Sequence, residues 1–302
     1  MKLQYFFKRL YLSLKNDGLL TIFKKIFFTI LGKNKIDLDK LNFKENKNLD
    51  ELFLIFGTDK GKYDSKKTYL HLQTSSKIKE FKNYYEFINR NKIYEYEYQL
   101  GNNFSPIYEK LFSKIKEKKI NFLELGVANG HSLASWYKYF KNANIYGIDI
   151  KKKSKLFYKG KRLNYFSVDI TNKKAVKIFL KKQLSFDVIV DDSLHDYQGF
   201  ISNIKNFYPI VNKGGVYILE DFVFSDKFKL EERKFNVSRG HKVFEPVTMT
   251  MGEFFNNIKN KKFFQHNYLT SKEIEYIIQN TRDVNVEYTE HPFGSLGIIY
   301  KK

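Results

Sequence analysis

Cysteine is absent from all 302 residues. The chain therefore has no disulfide framework, no Cys-ligated zinc site and no thiol nucleophile. Proline is scarce, at four residues, which excludes a long proline-rich linker. No run approaches the roughly 18 uncharged apolar residues that a simple membrane-spanning helix needs. Arginine is rare as well: six of the 54 basic residues are Arg, against 48 Lys. That matters because the formal charge of +21 invites a nucleic-acid reading. Arginine is the residue that reads guanine and grips phosphate bidentately. Lys, Asn, Ile, Phe and Tyr are inflated while Ala, Pro and Arg are depleted, the skew of AT-rich codons. The charge is thus a weak argument for nucleic acid. Hydrophobic residues, at 42%, suffice for a real core and exclude wholesale disorder. At about 100–200 residues per domain, the length fits one large domain, or one with decoration.

Three zones are expected. Residues 1–40 form a basic, amphipathic helical extension. The first 35 carry eight basic residues and one acid, Asp17. Leu3, Phe6, Phe7, Leu10 and Leu14, then Leu20, Phe23, Phe27 and Ile30, recur at helical spacing, and Gly18 suggests a break between two helices. Lys8, Arg9, Lys24 and Lys25 interrupt the apolar stretches, unlike a secretory signal. Two readings stay open: a helix lying on an anionic membrane surface, or a helix packing its Phe/Leu face on the domain. Residues 41–104 read as an auxiliary cap. Within it, Leu49–Phe56 form a short helix, followed by the glycine-bounded loop Gly57-Thr58-Asp59-Lys60-Gly61.

From 105 to 302 the pattern becomes regular. Ser105-Pro106 is a helix start, a capping hydroxyl followed by proline. Strands are expected at 121–125, 144–150, 164–170, 187–191 and 215–219, with helices between them at about 132–140, 173–182 and 197–208. This alternation means an α/β fold with a parallel sheet. Residues 285–289 and 296–301 read instead as an antiparallel edge pair.

The first strand runs into Leu123-Glu124-Leu125-Gly126-Val127-Ala128-Asn129-Gly130. Glycines at a strand-to-helix turn let backbone approach a ligand. The spacing is G-x-x-x-G, not the G-x-G-x-x-G of dinucleotide binders. Asp149 ends the second strand, where a carboxylate can accept from ribose hydroxyls, and Asp169 ends the third, poised to meet an adenine edge. A ligand with ribose and adenine but no pyrophosphate fits this set better than NAD. These residues resemble the class I S-adenosylmethionine-dependent methyltransferases, over roughly 105–302. The resemblance implies a Rossmann-like, doubly wound sheet with an antiparallel C-terminal hairpin. It implies that Gly126 and Gly130 flank the methionine part of the cofactor, Glu124 lies near its amino group, Asp149 holds the ribose and Asp169 sits near the adenine. Ala128 stands where the loop often has a middle glycine.

The fourth strand ends in Asp191-Asp192-Ser193-Leu194-His195 and the fifth in Glu220-Asp221. Ligands of open α/β sheets bind at this carboxyl edge, so Asp191 joins the cofactor-binding set. Asp192, Glu220 and Asp221 can converge as hard oxygen ligands suited to Mg²⁺. His195 follows Asp192 by three residues; imidazole titrates near physiological pH and serves as a general base. With Thr58-Asp59-Lys60-Gly61, these stretches look like the Mg²⁺-dependent sugar O-methyltransferases that act on macrolides, and their relatives in polysaccharide gene clusters. That resemblance implies Asp192, Glu220 and Asp221 as metal ligands and His195, with Asp192, as catalytic. Ser193-Leu194 replaces the family's Gly-Ser.

The expected function is a metal-assisted methyl transfer from S-adenosylmethionine to a sugar hydroxyl of a surface polysaccharide or glycosylated metabolite. The expected place is the cytoplasm, at the inner membrane face if residues 1–35 bind it. A nucleic-acid methyltransferase is the first rival. Enzymes acting on amino nitrogens of bases usually carry an Asn/Asp-Pro-Pro-aromatic motif, and Asp191-Asp192-Ser193-Leu194 has no proline. The second rival is a membrane-associated binding protein without turnover. The intact glycines and strand-end carboxylates argue against it. Oligomeric state is not legible.

Overall fold

The computed structural model describes residues 35–43, 46–56, 58–61, 102–153, 156–222, 249–289 and 294–302. The basic segment 1–34, the aromatic stretch 81–99 and Gly57 lie outside the described residues. The chain divides after Asp37 into two compact units. Of the first, Ile36–Asp37 is a short extended segment. Everything below concerns the second, Leu38–Lys302.

Helix α1 spans Leu49–Phe56 and α2 spans Ser105–Phe112. Then come β1 Asn121–Leu125, α3 His131–Tyr139, β2 Asn144–Asp149 and β3 Leu163–Ser167. They are followed by α4 Lys173–Leu180, β4 Phe186–Asp191, α5 Tyr197–Phe207 and β5 Val211–Glu220. The chain closes with α6 Met251–Lys259, α7 Ser271–Asn280, β6 Thr281–Tyr288 and β7 Ser295–Lys301. The seven strands are ordered β3-β2-β1-β4-β5-β7-β6. β1 to β5 pair in parallel, and β7 runs antiparallel to both β5 and β6. This is the α/β sheet with an antiparallel edge hairpin that the alternation of elements predicts.

Register determines what the sheet presents at its carboxyl edge. Leu125 lies level with Ile148 on one side and Asp191 on the other, and Asp191 is level with Leu219. One step further come Gly126, Asp149, Asp192 and Glu220. The ladder continues into that step: Gly126 N–H donates to Ile148 O at 2.8 Å and Asp192 N–H to Leu125 O at 2.9 Å. Because side chains alternate faces, neighbouring residues at a strand end point to opposite sides. Leu123, Leu125, Ile189, Tyr217 and Leu219 join the core packed on α5, with Phe200, Ile201 and Ile204. The other face carries α1, α2 and α3, whose Phe53, Tyr108 and Phe112 meet Trp136 edge-on at 5.1, 5.2 and 5.9 Å. Each such fully buried side chain contributes about 1.5–3 kcal/mol of apolar burial.

Local sequence explains several boundaries. At α1, Asn48 Oδ1 accepts from Glu51 N–H and Glu51 Oε2 accepts from Asn48 N–H, each at 2.9 Å. This reciprocal cap satisfies two otherwise orphaned donors. α6 and α7 carry full capping boxes, Thr250 with Glu253 and Thr270 with Glu273. Both helices lie in a region that hydrophobic periodicity left unread, although the T-x-x-E signal stands in the sequence twice. One expectation is corrected. Ser105 does not cap α2; it is already helical, and its hydroxyl donates to Asp50 Oδ1 at 2.6 Å. Arg162 shows what one of the rare arginines does. It donates to Phe140 O and Tyr137 O at 2.9 Å each, and to Ala143 O, while stacking 4.0 Å from the Tyr137 ring. It satisfies carbonyls at the C-terminal end of α3 and beyond, which have no intrahelical partner.

Candidate active site

The loop from β1 to α3 needs its two glycines for different reasons. Gly126 has φ +81°, and a Cβ there would lie 2.2 Å from the Asp192 carbonyl oxygen. Gly126 thus lets the β1 and β4 ends touch through backbone. Gly130, at φ +87°, turns the chain into α3, and a Cβ there would meet Leu156 at 2.9 Å. Ala128, in the middle of the loop, also takes a left-handed backbone with φ 47°. Its N–H donates to Asp149 Oδ2 at 2.8 Å, so the half-buried Asp149 carboxylate braces the loop. Lys151 N–H holds the other Asp149 oxygen at 2.9 Å. Asp169 lies just beyond β3, its Oδ1 accepting from the Thr171 N–H at 2.9 Å and hydroxyl at 2.6 Å. His131 pairs with the Tyr158 hydroxyl at 2.9 Å.

Glu124 is fully buried beneath this loop, where Oε2 accepts from the Ser132 hydroxyl at 2.7 Å. Burial pushes its carboxyl up to about 7, against the pull of Lys60. The structure gives Asp191 a different place from the one its strand-end position suggests. It is fully buried, facing α5. Oδ2 accepts from the Tyr217 hydroxyl at 2.6 Å, Oδ1 from the Ser193 hydroxyl at 2.6 Å, and Asn203 Nδ2 reaches both oxygens at 3.0 and 3.1 Å. Burial raises its carboxyl to about 6 despite these donors. Asp191 is occupied in bracing the β4 end rather than facing a ligand.

Asp192, one residue on, points to the opposite face. His195 Nε2 lies 3.4 Å from its Oδ1. One ligand atom each from Asp192, His195 and Asp221 lies within 4.8 Å of the others. His195 and Asp221 both hold left-handed backbone, φ 50° and 55°. Such conformations in non-glycine residues cost about 1–3 kcal/mol and persist where surrounding structure imposes them. Asp221 is fixed by its N–H donating to Ser295 O at 2.9 Å and by Asn102 Nδ2, 3.5 Å from Oδ2. His195 Nδ1 is buried and makes no hydrogen bond among the described residues. Two carboxylates and an imidazole, half-buried and convergent, make a donor set that fits a small divalent cation. Glu220 is placed differently. It is buried, and its carboxylate accepts from Lys60 Nζ and from the Tyr108 hydroxyl. Lys60 also bonds Asp192 Oδ2 at 2.6 Å and lies 3.6 Å from Glu124 Oε1. Burial alone would depress the Lys60 ammonium, but Asp192, Glu220 and Glu124 carry it well above the usual lysine range.

Of the residues expected from sequence, the structure brings Asp192, His195 and Asp221 together. It sets Glu220 and Glu124 behind them, on the same face, and turns Asp191 away. Gly126, Gly130, Asp149 and Asp169 line the neighbouring edge. Sequence spacing gives Lys60 and Tyr108 no role, although Thr58-Asp59-Lys60-Gly61 is one of the stretches that carry the resemblance.

This is the fold of the class I methyltransferases. No protein-family model matches the sequence. Among solved structures, the chain is similar to the MycE methyltransferase from the mycinamycin biosynthetic pathway in complex with Mg and SAH. The TM-score is 0.55 at 18% identity, covering 85% of this chain and 55% of that one. The same enzyme with mycinamycin VI gives 0.52 at 15% identity, over 97% and 62%. Curated relatives include 8-demethyl-8-alpha-L-rhamnosyl tetracenomycin-C 2'-O-methyltransferase of Streptomyces olivaceus, 26% identical over 125 residues, 39% of this chain and 32% of that protein. Mycinamicin VI 2''-O-methyltransferase of Micromonospora griseorubida is 27% identical over 125 residues, 39% and 31%. The match spans about a third of the length of these curated relatives.

Proposed function

We propose that the chain is an S-adenosylmethionine-dependent O-methyltransferase that methylates a sugar hydroxyl of a surface polysaccharide or glycosylated metabolite, with a divalent cation, Mg²⁺, assisting. The observation that carries this is the convergence of Asp192, His195 and Asp221 beside the glycine loop. The similarity to sugar O-methyltransferases supports the substrate class. S-adenosylmethionine, when bound, supplies an electrophilic methyl group, and the cation, when bound, lowers the pKa of a chelated hydroxyl. Asp192 and Asp221 offer the cation carboxylate oxygens, and Glu220 stands behind them as the third carboxylate. The loop from Gly126 to Gly130, given its path by the two glycines, would lie against the cofactor. When the cofactor binds, Glu124 would take its amino group, Asp149 its ribose and Asp169 its adenine.

His195 would take the proton of the acceptor hydroxyl, its ring standing beside Asp192 with Nε2 3.4 Å from Oδ1, so that the cation would be left to the carboxylates. Alignment of that oxygen behind the methyl group supplies much of the remaining rate. The basic residues 1–35 support a place at the inner membrane face, where anionic headgroups attract lysine. No helix among the described residues is long and apolar enough to cross a membrane. The test is transfer of label from S-adenosylmethionine to rhamnosylated and other deoxysugar glycosides and to extracted polysaccharide precursors, with and without EDTA. Turnover is expected only with metal and with His195 present. Undiminished turnover in EDTA, or in His195→Ala, would sink the metal-and-histidine mechanism.

A further inference from the structure

The loop Thr58–Gly61 has no part in the reading above, yet it delivers the one buried lysine ammonium that touches the site among the described residues. Backbone fixes that loop. Thr58 N–H donates to Phe53 O at 3.0 Å, at the end of α1. Asn102 N–H donates to Asp59 O, and Asn103 N–H to Gly61 O at 2.8 Å. Phe104 and Ser105 N–H groups both donate to Lys60 O, at 3.1 and 3.0 Å, where α2 begins. The position of Lys60 is therefore set by α1 and α2, not by the carboxylates it meets.

Those carboxylates come from three different strand ends. Alternation puts Glu124, Asp192 and Glu220 on one face of the sheet, where three close anions repel one another. Lys60, 1% exposed, sits among them. It holds one oxygen of Asp192, at 2.6 Å, and the other oxygen of that carboxylate is the one that faces His195 at 3.4 Å. Tyr108, also buried, takes the second oxygen of Glu220.

We propose that Lys60 is a positioning residue for both the cation and the cofactor. It fixes Asp192, which faces the cation, and ties it to Glu220 buried behind. Through Glu124 it ties them to the cofactor loop. This rests on the divalent-cation reading above. It makes a prediction of definite sign. As a bare positive charge, Lys60 repels a divalent ion, and its removal would tighten binding. As a clamp, its removal lets the carboxylates rotate apart and weakens binding.

Mn²⁺ is the probe, with free ion read from its electron paramagnetic resonance signal. The wild-type chain is expected to bind Mn²⁺. Lys60→Met is expected to bind it about 10–100-fold more weakly, the usual loss when the support of a metal ligand is removed. S-adenosylhomocysteine affinity, by calorimetry, is expected to fall in the same variant. If Lys60→Met does not fold, Lys60→Gln, whose uncharged amide is one atom too short to hold all three carboxylates, is measured in its place and carries the same expectation. The absence of cysteine allows a further step: Lys60→Cys, alkylated with 2-bromoethylamine in urea and refolded, regains an ammonium at nearly the lysine length. Mn²⁺ affinity is expected to return with it. No Mn²⁺ binding by the wild-type chain would bring down the cation reading itself, and this inference with it. Wild-type binding with equal or tighter binding in the folded Lys60 variants would overturn the inference alone.

Discussion

The ends of β4 and β5 each present two adjacent acids, Asp191-Asp192 and Glu220-Asp221, and the two pairs are built alike but neutralised differently. In each, the first acid is buried and the second half-buried. In each, a tyrosine hydroxyl bonds the buried carboxylate, Tyr217 for Asp191 and Tyr108 for Glu220. The remaining partners diverge. Asp191 has neutral ones, Ser193 and Asn203, and its carboxyl rises to about 6 through burial. Glu220 has the charged Lys60. A buried acid among neutral donors braces a strand end. A buried acid sharing an ammonium with Asp192 transmits position from one strand end to another. Four acids of similar type thus divide into two that hold and two that face the candidate cation site.

The largest effect that tests this division is on turnover. Asp192→Asn and His195→Ala are expected to lower methyl transfer by about 10²–10⁴-fold, measured with labelled S-adenosylmethionine, with little change in melting temperature. An equal loss in Asp191→Asn with its fold intact would erase the distinction between the inner and outer acids. Gly126→Ala comes next. Its methyl group meets the Asp192 carbonyl from a left-handed backbone, so thermal unfolding is expected to show a loss of about 3 kcal/mol. A neutral result would mean the β1 and β4 ends are not in contact through backbone. Asp191→Ala removes the acceptor of three buried donors but also a buried charge. The balance is expected to be a loss of about 2 kcal/mol in chemical denaturation, with turnover per folded molecule retained.

The smallest effect is of pH. Glu124 titrates near 7 because it is buried, so it is anionic above that value and neutral below it. On the proposed reading, the cofactor's ammonium would favour the anion. Affinity for S-adenosylhomocysteine, by calorimetry, is expected to fall as pH drops below about 7. The slope is at most about ten-fold per unit and is lost in Glu124→Gln. Affinity that stays flat between pH 7 and pH 5 would remove Glu124 from the cofactor's amino group. Those two pH values lie about one unit either side of 6, near which Asp191 titrates. Raised above its unfolded value, the Asp191 pKa makes the folded state bind the extra proton, so this group stabilises the fold at low pH and less as pH rises through 6.

Most of the sheet was legible because it alternates with helices whose apolar periods are clear. The strand from Asn121 to Leu125 and the helix from Leu49 to Phe56 stand where the pattern puts them. β5 starts four residues earlier than its apolar run suggests, at Val211, because Asn212, Lys213 and two glycines hide its beginning. The acids at the strand ends were legible as a set, and their individual placement was not. Parity along β4 separates Asp191 from Asp192, but using it requires knowing which face carries α5. Lys60 was illegible for another reason. Its partners lie 132 and 160 positions away. Nothing local in a glycine-bounded loop marks its lysine as a buried one.

That separation has a consequence during synthesis. The ribosome makes Lys60 long before Glu220, and at about 5–20 residues per second the delay over 160 residues is roughly 8–32 s. Through that interval the lysine gains its carboxylates one strand end at a time, Glu124 first, then Asp192 and last Glu220, and α1 and α2 lack the complete sheet they cover. The last parallel strand, β5, carries Glu220 at its end, so the site becomes electrically complete only when most of the sheet has been translated. Closing it is a long-range step of the kind that slows folding. The site is therefore expected to form late, after the elements around it.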